Sequence, residues 1–216
     1  MRKLLIALAI LLGLLVAADF GLRLVAQRAV AGDLQSALSL RDRPSVSLGG
    51  FPFVAELASG TVSSVTVHTR GPVHDGDLRF ESAALALRDV RFSAGQLLGG
   101  NGTTIRAGHG GGTATITESE LNAAIRATAP VTVAFREPNI VVRSDLGGLE
   151  VEAHPVIEGG RLVLRPVNGS LPELRVALPE VVPGLTYTDV RIEGDRAILS
   201  FALRNAVFET SARTGH

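Results

Sequence analysis

The sequence predicts an α+β fold dominated by antiparallel strands, with an apolar helix at its N-terminus. Three observations carry that prediction. Leu4 to Ala18 is an unbroken apolar run behind the charged pair Arg2 and Lys3. Helical periodicity then appears in only two places, Phe20 to Leu40 and the residues after Thr117. Much of the remaining chain alternates apolar and polar residues with a period of two and breaks at glycine pairs, as hairpin-connected strands do.

The N-terminal run has the ingredients of an export signal: a positive start, an apolar stretch, and small residues at Ala17 and Ala18. Val16, Ala17 and Ala18 suit a cleavage site, whereas Phe20, Gly21 and Leu22 continue the apolar character beyond Asp19. Residues 1–18 therefore read as a signal peptide or a membrane anchor, although the run is shorter than the about 20 residues that span a bilayer comfortably. On either reading residues 19–216 form a single exported α+β domain, periplasmic or in the cell envelope. If the segment is retained, the domain is held on the outer face of the plasma membrane.

The elements follow in order. Leu22, Val25, Ala29, Leu34 and Leu38 recur at helical spacing, with an interruption expected at Gly32 and Asp33. Arg43 and Pro44 stop that helix, Ser45 to Leu48 is extended, and Phe53 to Leu57 has room for a short helical turn before Gly60. From Thr61 the period becomes two. A turn is expected at Gly71 to Gly76, then a strand from Leu78 toward Phe92 whose phase is blurred, so a bulge or two covered faces is predicted there. Gly95 to Gly112 reads as a loop. Thr117 and Glu120 form a capping box that opens a second helix bearing Leu121, Ala124 and Ile125 on one face. Six strands follow, Val131 to Arg136, Asn139 to Ser144, Leu149 to Ile157, Arg161 to Val167, Thr186 to Glu193 and Ala197 to Asn205, read as an antiparallel meander. Gly147 with Gly148, Gly159 with Gly160, and Gly194 with Asp195 sit at the turns. Prolines bracket Glu173 to Val182, which restricts that segment to an edge strand or an extended crossing.

Composition narrows the function. Lys+Arg and Asp+Glu both number 21, so the basic footprint of a nucleic-acid binder is missing. There is no cysteine and Lys3 is the only lysine, which removes thiolate chemistry, disulfides and lysine catalysis. Tyr187 is the sole tyrosine and tryptophan is absent, leaving phenylalanine alone for any stacking platform. The chain is 46% hydrophobic, which suits either a Val/Leu/Ala-rich β core or an apolar cavity.

Candidate motifs resolve into structure. Gly108-His109-Gly110-Gly111-Gly112 matches an oxyanion-hole word of lipases, but no Gly-x-Ser-x-Gly nucleophile elbow accompanies it. No phosphate loop or dinucleotide fingerprint occurs. The five histidines are scattered without helical metal-ligand pairing, and Glu118/Glu120 and Glu150/Glu152 read as a capping group and a solvent face. No catalytic residue, metal site or cofactor is expected, and the chain reads as non-enzymatic. Apolar side chains without a reactive group suit a protein that holds an apolar ligand.

The words Pro44-Ser45-Val46 and Gly49-Gly50-Phe51-Pro52-Phe53 after the export segment resemble the opening of the LmeA-like family of actinobacterial envelope proteins, which bind phospholipid. Leu85-x-Leu87-Arg88-Asp89-Val90, Glu120-Leu121-Asn122, and Gly184-Leu185 followed by Asp189-Val190-Arg191-Ile192-Glu193-Gly194 extend the resemblance over nearly the whole mature chain. It implies a fold similar to the tubular lipid-binding superfamily, in which a strongly curved antiparallel sheet wraps a helix and leaves an elongated apolar groove. It also implies a part in envelope lipid or lipoglycan metabolism or transport, and carries over no catalytic residue.

The partners expected are phospholipid and a membrane surface, and no nucleic acid. Phe51, Phe53 and Leu57 are the candidates for a groove mouth or membrane-contacting lip. Phe80, Phe92, Leu121, Ile125, Phe135 and Phe201 are the candidates for groove wall, although plain core would use the same residues. Arg88 and Arg91 are the candidates for meeting a lipid phosphate through charge-assisted hydrogen bonds. The alternatives are an envelope scaffold that binds a protein partner and, further off, a lipoglycan-processing enzyme.

Overall fold

The computed structural model describes residues 2–37, 40–75, 78–93, 104–126, 129–144, 148–168, 172–179 and 184–209. Its first element is one unbroken helix, α1 (Arg2–Ala37), which fuses the apolar leader to the predicted amphipathic helix. The expected interruption at Gly32 and Asp33 is not there. Glycine costs a helix interior about 1 kcal/mol, and the packing of Ala26, Ala31 and Leu34 against the domain offsets it. The stretch Ala9–Ser36 is long and apolar enough to cross a membrane. Ahead of Asp19 the helix stands free, with Ile10, Leu11, Leu12, Leu14 and Leu15 all exposed.

Strand β1 (Ser45–Leu48) and helix α2 (Phe53–Ser59) follow as the sequence predicts. Pro52 starts α2 without offering a side-chain cap. The missing acceptor arrives from α1, where Asp19, only 3% exposed, takes the Val54 N–H on Oδ1 at 2.8 Å. Arg23, one helical turn on, lies 3.9 Å from the other carboxylate oxygen and donates to the Gly50 carbonyl. Asp19→Ala strips this cap and leaves Arg23 without its counter-ion. A loss of about 1–2 kcal/mol is expected, read as a lower melting temperature, with Asp19→Asn recovering part of it.

Long strands β2 (Thr61–Asp75), β3 (Leu78–Arg91) and β4 (Thr104–Thr117) come next, then helix α3 (Glu118–Arg126). The chain continues as β5 (Val131–Arg136), β6 (Asn139–Ser144), β7 (Glu150–Glu158), β8 (Arg161–Pro166) and the short β9 (Leu174–Ala177). It closes with the hairpin β10 (Leu185–Glu193) and β11 (Arg196–Glu209). Two antiparallel sheets result, one ordered β1-β2-β3-β4-β11-β10 and the other β5-β6-β7-β8-β9. The predicted meander is therefore real only through β9, on the edge as its flanking prolines require. The last hairpin returns to pair with β4 instead. The fold is α+β with a curled antiparallel half-barrel.

Two loop expectations are corrected. Gly71 lies within β2, which runs on to Asp75 and absorbs one extra residue through a register shift between Arg70 and Val73. Gly108 to Gly112 lies inside β4 at the middle of the larger sheet, and the rest of that predicted loop, from Gly95, falls mostly outside the described residues. Close approach of the neighbouring strands explains the glycines, since a Cβ on Gly112 would sit 1.9 Å from the Ala84 carbonyl oxygen and 2.8 Å from Cζ of Phe201.

Helix α3 is what the sheets enclose. Leu121 and Ile125 are fully buried among Phe80, Ile116, Ile140, Leu164 and Leu199, residues drawn from both sheets. The Thr117/Glu120 capping box forms, with the Thr117 N–H donating to Glu120 Oε2 at 3.1 Å. Asn122 both donates to and accepts from Val133, and Glu118 accepts the Phe135 N–H at 2.9 Å, which sews α3 to the edge of β5. A second core lies under α1 and α2, built from Ala31, Phe53, Val62, Leu87, Val90, Leu203 and Ala206. Phe201 and Leu185 touch both cores.

Candidate functional site

Two hollows stand out among the described residues. The first is an apolar cleft of about 300 Å³ on the smaller sheet. The registers Val133↔Val142↔Val151 and Ala153↔Pro166 put Val131, Val142, Val151, Ala153, Leu164 and Leu174 on the face that meets α3. Leu149, Ser144, Pro166, Pro172 and Glu173 complete the lining. Every strand of this sheet contributes to it, and Ala153 and Leu164 connect it to the first core.

One edge of the cleft is ionic. Glu173 accepts from Arg165 at 3.0 Å and from Arg175 at 2.9 Å, and Arg165 also holds Glu158. The hydrogen bonds from Arg165 and then Arg175 keep the Glu173 carboxyl below the ordinary carboxylate range. Two guanidinium groups thus stand beside an apolar slot at the protein surface.

The second hollow, about 550 Å³, lies at the far end of the larger sheet among Asp89, Arg91, Arg106, Gly108, Asn205 and Val207. A line of kinks makes it. Asp89 and Asn205 take positive φ, 53° and 50°, a conformation that Asp and Asn tolerate better than other side chains. Both sit at the level of Gly108, between the registered rows Arg88–His109–Arg204 and Val90–Ala107–Ala206. The kinks reset the strand phase, so buried Leu87 is followed inward by Val90, and Leu203 by Ala206. This is the source of the blurred alternation in β3, together with the shift in β2.

The predicted site residues scatter over this frame. Phe51 is exposed, at 65%, while Phe53 is 1% exposed and packs under α1. Leu57 and Phe92 are partly buried against the second core. Phe80, Leu121 and Ile125 are buried in the first core, with Phe135 partly buried beside them. Phe201 meets Tyr187 edge-on at 6.3 Å where the cores join. Arg88 and Arg91 are exposed on β3, and Arg91 lines the second hollow. None of the predicted apolar residues lines the first cleft. Sequence reasoning missed its Val, Leu and Pro walls, whose alternation is that of any half-buried strand. It also missed Arg106 and Arg204, which join Arg88 and Arg91 only through register.

Among the described residues no group of three His, Cys, Asp or Glu is placed to hold a metal ion. His154 Nδ1 is 2.9 Å from Asn139, and Asn139 in turn donates to Glu152. His109 lies 3.4 Å from Asp89 with both side chains largely exposed.

A family model described as LmeA-like phospholipid-binding matches residues 17–187 of this chain. No curated protein and no solved structure gives a match.

Proposed function

The chain belongs to the LmeA-like phospholipid-binding family, and from that premise we propose that it shelters a phospholipid acyl chain in the apolar cleft of the smaller sheet. The cleft is the observation that supports this reading. Its size lies at the lower end for small-molecule pockets and its walls are overwhelmingly apolar, as such sites require. Burying each methylene contributes about 0.8 kcal/mol, so one chain gains useful affinity without polar specificity. The head group stays at the rim beside Arg165 and Arg175, whose charges are already met by Glu158 and Glu173, and selectivity among head groups is weak. Ala153 and Leu164 continue into the first core, so in this reading Phe80, Leu121, Ile125 and Phe135 are the packed core behind the cleft and do not touch the chain it holds.

The protein in this reading is exported by α1, works without catalysis, and serves envelope lipid or lipoglycan metabolism or transport. Retention of α1 as an anchor has a physical argument. Cleavage after Ala18 would place a new ammonium group on Asp19, which is buried and paired with Arg23. Phe51 and Val54, both exposed beside the point where α1 leaves the domain, then form the lip that faces the membrane.

Native mass spectrometry with solvent extraction on the full chain, purified from a bacterial host in mild detergent, tests the reading. A stoichiometric phospholipid is expected. Empty protein that also fails to take up lipid from vesicles would replace it with a scaffold that binds a protein partner.

A further inference from the structure

Four arginines gather on the outward face of the larger sheet around the kink. The rows Arg88–His109–Arg204 and Arg91–Arg106–Val207 each cross β3, β4 and β11 in register. All six residues are exposed, and the rows of opposite facing, Leu87–Gly110–Leu203 and Val90–Ala107–Ala206, carry the buried residues. Arg91 and Arg106 are direct cross-strand neighbours, an arrangement of like charges that weakens a sheet. None of the four arginines is paired with a carboxylate among the described residues, and the one acidic side chain in the group, Asp89, faces His109. Elsewhere on the sheets several arginines are matched, Arg143 with Glu150, Arg165 with Glu158 and Glu173, and Arg196 with Glu81. The four arginines around the kink stand in adjacent registered rows, so their positive charge is concentrated on one patch of the sheet.

That place coincides with the exit of α1. Thr61 at the start of β2 pairs with Arg91, and Gly60 just before it accepts the Phe92 N–H. The loop that leads into α2 lies at this same end, since Gly49 bonds to Ser64. Arg23 and Asp19 of α1 bind that loop and the first turn of α2, at Gly50 and Val54. The free apolar half of α1 therefore departs from the end of the sheet that bears the arginine cluster.

We propose that this outward face of β3, β4 and β11, through Arg88, Arg91, Arg106 and Arg204, rests on the anionic head groups of the bilayer that α1 enters. Anionic surfaces attract juxtamembrane basic residues, and the attraction falls away within about a Debye length. The anchor holds the cluster within that range. The kink, with Gly108 lacking a side chain between Asp89 and Asn205, leaves a hollow in which a head-group phosphate reaches both Arg91 and Arg106. This is a surface for the membrane and is separate from the cleft. Lipid extraction reports on the cleft and the following test reports on the face, so each fails independently.

Because the chain has no cysteine, one label position can be introduced cleanly. Val207→Cys carries an environment-sensitive fluorophore beside the cluster, and Asp195→Cys carries it at the distant β10–β11 turn. Full chain is placed in nanodiscs of phosphatidylcholine alone or with phosphatidylglycerol, each with a trace of head-group-quencher lipid. The Val207 label should be quenched more strongly in the anionic discs, with salt reversing the difference, and the Asp195 label should not respond. Arg91→Glu with Arg106→Glu should reduce quenching to the zwitterionic level, each lost arginine weakening surface contact about fivefold. These side chains are exposed, so an unchanged circular dichroism spectrum accompanies the loss. Equal quenching in both discs, untouched by the double substitution, would show that the anchor alone sets the distance and would overturn the proposal. A response to inorganic phosphate in zwitterionic discs, with none to phosphatidylglycerol, would overturn it in favour of a site for a free anion.

Discussion

Val142→Trp combined with Leu174→Trp is expected to empty the protein of lipid while leaving it folded. The two side chains lie on opposite flanks of the apolar cleft, on β6 and β9, with β7 and β8 between them. Each is only partly buried and packs against the first core on one side while lining a cavity of about 300 Å³ on the other, which gives the larger ring room to enter. The energetics favour a large effect on binding. Excluding as few as two methylenes removes about 1.6 kcal/mol, already more than tenfold in Kd, and two indoles exclude many more. The expected result is loss of the co-purified phospholipid at an unchanged or higher melting temperature. A folded double variant that still carries lipid would remove the cleft as the acyl site and leave the first core, around Leu121 and Ile125, as the place to look.

The order of elements was largely legible in the sequence, and the reasons are local. The Gly49-Gly50-Phe51-Pro52-Phe53 word set the boundary between β1 and α2, because Gly50 with φ 101° and Gly60 with φ 70° occupy positions that side chains resist. Gly148, Gly159, Gly160 and Gly194 mark hairpin turns for the same reason. What local signals do not carry is which strand pairs with which. The meander ended at β9 because the β10–β11 hairpin found a longer partner in β4, a pairing between residues some ninety positions apart. Glycine misled for the opposite reason in two places. At Gly32 it was absorbed by a packed helix, and at Gly110 to Gly112 it served close strand approach instead of a loop. Candidate site residues suffered from a preference for large aromatics. Phenylalanines such as Phe53 and Phe80 fill cores, at 1% and 2% exposure, whereas the open cleft is walled by valines and leucines that look like ordinary strand. The arginine cluster needs register before Arg106 and Arg204 can be placed beside Arg88 and Arg91.

Gly112→Val should have the largest effect on stability of any single substitution considered for this chain. Gly112 lies in the centre of the six-stranded sheet, with Leu85 registered on one side and Phe201 on the other. The first carbon of any side chain there meets the Ala84 carbonyl oxygen at 1.9 Å. That neighbour is backbone, which cannot swing away as a flexible side chain would. Relief requires β3 and β4 to separate, and with them the row on which Phe201 lies over the glycine and bridges the two cores. Overpacking in a core costs about 1–3 kcal/mol when neighbours can adjust, and a backbone clash at this position should exceed that range, a large part of a domain's usual 5–15 kcal/mol. Gly21→Ala is the matched control, because a Cβ on that α1 glycine meets nothing within 4 Å, and it should leave the melting temperature unchanged or raise it slightly. Loss of cooperative unfolding in the Gly112 variant alone is the expected outcome. Should Gly112→Val melt with the wild-type protein, residues 108–112 would have to lie outside the sheet, as their composition first suggests. The kink, the arginine rows and the membrane-facing surface built on that strand would then go with it.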